Sequence, residues 1–207
     1  MRVPRLRTAI ATGLLATLVA AAPVAAITNG VADDHEHPQV GQLFFFVPNE
    51  PHPSFPADDP GSWFNCTGTL ISPTVVLTAG HCTFGTGLDG AATNETGGGG
   101  GNDVWVTFVE DATVAYEGLP PTSDYTGIPG GNALRYTDRA AWLDANDLWH
   151  RGTAYPHPDY DDAAFYAHDA GVVILDEPIP LGTALEPGHP ITAYGELPSA
   201  GFLDQFK

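Results

Sequence analysis

The chain has 207 residues, 43% hydrophobic and 15% charged, with 25 acidic against 7 basic side chains and a formal charge of −18. That length suits one substantial domain. So acidic a surface repels phosphate backbones and anionic headgroups, which argues against nucleic-acid and membrane-surface partners.

Arg2, Arg5 and Arg7, the apolar stretch 9–22 and the small residues Val24-Ala25-Ala26 read as a signal peptide over residues 1–26. The apolar run is shorter than the roughly 20 residues of a membrane span. Cleavage after Ala26 would remove three of the seven basic residues and no acidic one, moving the formal charge from −18 to −21. The expected location is extracellular. Cys66 and Cys82, the two cysteines, would then reach an oxidising compartment where a disulfide persists. The residues alone also allow a zinc pair, which the lack of CxxC spacing disfavours.

Residues 40–47 and 68–78 are rich in Val, Leu, Ile, Phe and Thr and bounded by Pro, Gly and Asn, so they read as strands. Ser72-Pro73-Thr74 divides the second into a hairpin-like pair, 69–71 and 75–78. Residues 85–103 contain five consecutive glycines with no Gly-Lys-Ser/Thr after them, which excludes a phosphate-binding loop. That stretch and residues 119–152, rich in Pro, Gly and Asp, read as surface insertions. Further strands are expected at 104–109, 113–116 and 171–175, and a short helix at 138–149 with Trp142 and Trp149 on one side. Short strands separated by turn chemistry predict an all-β unit, closed or sandwiched.

Chemistry concentrates in "CTGTLISPTVVLTAGHC", residues 66–82. A strand stiffened by Val75, Val76 and Leu77 delivers the chain to Ala79 and Gly80, which turn tightly without filling the space needed by His81. A general base gains rate only when its geometry is held. The segment resembles the histidine motif of trypsin-like, chymotrypsin-fold serine proteases. By that resemblance His81 is the general base, and a Cys66–Cys82 disulfide pins the far side of its turn. Farther on, "YPHPDYDDAAFYAHDAGVVILDEPI" resembles the family's aspartate segment and makes Asp169 the triad carboxylate, with His168 a loop residue beside it. Ile27-Thr28-Asn29-Gly30-Val31 is similar to the family's mature amino terminus, with Ile27 as its first residue, and "HPQVGQLFF" is similar to its first barrel strand.

The resemblance implies the first antiparallel β-barrel of a chymotrypsin-like double barrel over residues 27–190, and an interbarrel linker or the start of a second barrel over 191–207. It implies a secreted endopeptidase acting on protein or peptide substrates, without cofactor or metal. The family's Gly-Asp-Ser-Gly-Gly nucleophile segment has no counterpart here. Ser199, the one serine after Asp169, lies in "ELPSAGFLDQF", which lacks a Gly-x-Ser-x-Gly elbow and resembles linker. The expectation is therefore an incomplete, inactive chain lacking nearly all of the second barrel, or alternatively a binding module without catalysis. Asp33, Asp34, His35 and His37 offer metal-type ligands, but they lack His-Glu-x-x-His spacing and read as the exposed approach to the first strand.

Overall fold

The run Leu43-Phe44-Phe45-Phe46 is apolar at successive positions, a pattern a strand carries only when both of its faces are covered. In the computed structural model, which describes residues 33–87, 102–164 and 166–206, that is its situation. The segment 1–26 read as a signal peptide, Ile27 and the glycine run lie outside the described residues.

Six strands form the protein's centre: β1 (Val40–Val47), β2 (Ser62–Ser72), β3 (Val75–Thr78), β4 (Asp103–Thr107), β5 (His150–Pro156) and β6 (Gly171–Leu175). They close into a barrel in the order β1–β2–β3–β6–β5–β4, with every neighbouring pair antiparallel. The fold is all-β, as the turn-punctuated strands predict, and closure removes the unpaired sheet edges. A small hairpin, β7 (Ala184–Glu186) with β8 (His189–Pro190), lies apart from the barrel sheet.

Alternation sorts the side chains. Leu43, Phe45, Leu70, Val76, Val104, Val106, Ala154, Val173 and Leu175 fill the barrel, joined by Ile179 and Ile191 from beyond β6. Phe44, Phe46 and Trp105 belong to a second buried cluster, with Tyr136, Leu143 and Trp149. Tyr136 and Leu143 come from α2 (Gly131–Asp144), so the supposed surface insertion 119–152 holds a helix that shares a core with β1 and β4, and also the start of β5. Polar bonds fix this layer: Trp105 Nε1 donates to Asp144 Oδ1 (2.7 Å) and the Tyr136 hydroxyl to Asp103 Oδ2 (2.9 Å).

Three local expectations are corrected. The helix lies at Gly131–Asp144, not 138–149: Asn132 is tied to Asp59 and Gly61 at its start, and the Asn146 side chain accepts the Leu148 amide in a turn just past its end. Residues 113–116 are not a strand. Asp111 caps a short helix, α1 (Ala112–Ala115), by accepting the Thr113 amide and hydroxyl, which overrides the β-propensity of Thr and Val. The expected 104–109 strand ends at Thr107. Residues 191–195 run against the barrel, with the Gly195 amide bonded to Leu70 O and the Tyr194 hydroxyl to Ile179 O.

Candidate active site

β3 and β6 pair with Thr78 opposite Gly171, so the residues just after β3 and those just before β6 must meet at one barrel end. His81 lies in a single 3-10 turn, Gly80–Cys82, just past β3, and Asp169 lies two residues before β6. The His81 ring seats Nδ1 at 2.9 Å from Asp169 Oδ2 and 3.1 Å from Oδ1, while the His81 amide donates to Oδ1 at 2.9 Å. Burial pushes the Asp169 carboxyl up, but the His81 amide and ring and the Gly80 amide outweigh it and hold the group below the usual carboxylate range. An ionised carboxylate only accepts, so Nδ1 is the donor and carries the proton in the neutral ring. Nε2 is then left with its lone pair. The His81 side chain is 51% exposed against 27% for Asp169, so the imidazole is the more open of the two groups and the carboxylate is the more shielded.

Packing holds this pair from three sides. Cys82 is buried and bonded to Cys66 on β2, which confirms the expected disulfide and consumes both thiolates a zinc pair would need. Thr83 is buried, its hydroxyl donating to Gly80 O at 2.9 Å. A Cβ on Gly171 would fall 2.2 Å from that hydroxyl oxygen, so the close approach of the turn to β6 requires glycine there. Tyr160, only 3% exposed, lays its ring on Gly80, where a Cβ would come within 2.8 Å of Cδ2. Burial, then the charges of Asp162 and Asp169, push the Tyr160 hydroxyl up to about 12, so it stays protonated. Sequence reading placed His81 and Asp169 but not Tyr160, Thr83 or Gly171. "HPDY" before the aspartate was the available signal for Tyr160.

A groove of about 510 Å³ opens beside His81, with Phe45, Val47, Phe64 and Phe84 on its walls and Glu50 and Asp162 also lining it. His168 does not reach His81; its ring lies 5.1 Å from that of His157. Ser199 sits in an exposed turn, its carbonyl accepting the Phe202 amide. Among the described residues no serine hydroxyl is hydrogen-bonded to His81. The four residues near the first strand do not converge on one point. His37 pairs with Asp33 (2.5 Å), whereas His35 faces Glu110 (2.9 Å) and Glu186 (3.7 Å) and stacks on His189. Among the described residues no helix is long and apolar enough to cross a membrane.

No protein-family model matches the chain, and no curated protein sequence is similar to it. The closed six-stranded antiparallel barrel is compatible with the chymotrypsin-like barrel that the sequence motifs suggest.

Proposed function

We propose that this chain carries the histidine and aspartate of a secreted trypsin-like serine endopeptidase. The observation that supports the reading most is the seating of His81 on Asp169, which leaves Nε2 as a proton acceptor beside an open groove. In such a site Nε2 takes the proton of the attacking serine hydroxyl, and Asp169 stabilises the imidazolium as that charge develops. The disulfide is consistent with an oxidising, extracellular setting.

The nucleophile and the oxyanion donors are assigned to no residue of this chain. A His–Asp pair without a hydroxyl has nothing to activate. The 207-residue chain is therefore expected neither to hydrolyse peptides or esters nor to be labelled by fluorophosphonates. The test is the reading frame beyond the Lys207 codon. The peptidase reading expects it to encode Gly-Asp-Ser-Gly-Gly, and the extended protein to hydrolyse peptides with kcat falling on the order of a millionfold in His81→Ala. A stop codon followed by unrelated sequence would overturn this reading. It would favour a secreted binding module that keeps the barrel without catalysis, which the absence of a serine on His81 among the described residues also fits.

A further inference from the structure

Two chain segments meet beside the His81–Asp169 pair without taking part in it. The turn after β5 brings the Tyr160 amide onto His157 O (2.9 Å) and the Asp159 amide onto His157 Nδ1 (3.1 Å). The segment entering β6 is tied to that turn by the His157 amide on Ala170 O (2.8 Å), and the Ala170 amide bonds back to His168 O (2.7 Å). The backbones of residues 157 and 168 are thus fixed against each other, and His168 holds φ at +56°, a left-handed conformation uncommon for a residue with a Cβ. One donor atom from each of His157, Asp159 and His168 lies within 4.8 Å of the other two.

We propose that His157, Asp159 and His168 bind a single divalent transition-metal ion of the zinc type. Two imidazoles and a carboxylate suit zinc, with a fourth position left to water, whereas calcium and magnesium favour sets made of oxygen alone. Zinc–ligand bonds of about 2.0–2.2 Å require the donors to stand roughly 3.5 Å apart. All three residues are exposed, so side-chain rotation can close the remaining gap. Ligation through His157 Nε2 moves the ring proton to Nδ1 and gives up the 3.1 Å bond from Asp159, a weak contact beside a metal–nitrogen bond. Asp161 and Asp162 follow in the chain, and the protein's formal charge of −18 draws cations toward it. The ion uses no atom of the His81–Asp169 pair, so the site holds whether or not the chain belongs to a peptidase. It clips the turn carrying Tyr160 to the residue preceding Asp169.

The experiment titrates zinc chloride alone into the full chain by calorimetry. One ion per chain is expected, with affinity falling at least tenfold in His157→Ala and in His168→Asn, asparagine being chosen because it tolerates positive φ. A His35→Ala/His37→Ala control should bind as the native chain does. Cobalt(II) bound to the native chain gives a readout that needs no variant: the ring N–H protons of two histidines, His157 and His168, should show the large contact shifts carried through a metal–nitrogen bond. Absence of saturable binding, one-to-one binding that survives both substitutions, loss of binding in the control, or through-bond contact shifts on other histidines would each overturn the proposal.

Discussion

Adding a methyl group at Gly80 brings a carbon within 2.8 Å of the Tyr160 ring and 3.2 Å of the Ala170 nitrogen, so the turn carrying His81 must lift or the ring must leave. Gly80→Ala is expected to cost about 1–3 kcal/mol, the usual range for overpacking, and to shift the His81 ring resonances. Gly171→Ala should cost more, because its Cβ meets the Thr83 hydroxyl at 2.2 Å and the Ala79 carbonyl at 3.0 Å. That hydroxyl cannot swing aside without abandoning Gly80 O. Urea unfolding of both variants checks the ranking, and a neutral Gly171→Ala would show that the turn is not packed as described. Asp169→Asn tests the tautomer. A carboxamide whose oxygen stays on the His81 amide turns its NH₂ toward Nδ1, so the ring proton should move to Nε2. Nitrogen-15 shifts of the ring distinguish the two forms, and an unchanged Nδ1–H tautomer would refute the assignment.

At the scale of elements, β3 and β6 were legible because each is a short apolar run entered or left through small residues, with its chemistry-bearing residue just outside. Their pairing was not legible from periodicity, since nothing local in Val75–Thr78 specifies Gly171–Leu175 as its neighbour; the family resemblance linked His81 to Asp169 but did not pair the two strands. β5 escaped because His150-Arg151-Gly152-Thr153 shows neither alternation nor an apolar run; what holds it is pairing on both sides, to β4 and β6. The strand-like reading of 113–116 failed because a single cap at Asp111 outweighs propensity over four residues. Leu143 on α2 is fully buried against the outer face of the barrel, so Leu143→Ala is expected to cost about 2–5 kcal/mol and to lower the one cooperative transition. A separate early transition with the barrel unaffected would show instead that α2 is an appendage. Removing the Cys66–Cys82 bond, which closes a separation of 16 residues, should cost about 3 kcal/mol by loop entropy.

Acid should destabilise the whole molecule before its carboxylates titrate. Burial lowers the pKa of His150, and burial together with the charges of Arg135 and Arg139 lowers that of His52, so both fall below 6.5 in the folded protein. The unfolded chain then binds more protons as pH drops through 6.5. Stability is fully present above that value and is lost as pH falls toward the folded pKa values. His37 has the opposite sign, because Asp33 raises its pKa, but its side chain is 58% exposed and salt screens such a pair. Relief of the acidic surface's self-repulsion also opposes the loss. The ordinary carboxylate range lies near about pH 4, however, so that relief belongs mainly below the histidine window. Asp169, held below the usual range, likewise contributes stability that disappears only at lower pH. Unfolding free energy measured in about 0.15 M salt should therefore be flat above about pH 7 and begin to decline as pH falls through 6.5. The slope should be no steeper than about 1.4 kcal/mol per pH unit for each histidine. His150 sits at the start of β5 with its ring 6.2 Å from that of Phe108, so His150→Phe keeps an aromatic side chain there while removing the titration. That variant should retain only the shallower decline contributed by His52. A native profile with no decline as pH falls below 6.5, or an undiminished slope in His150→Phe, would show that neither imidazole governs the acid response.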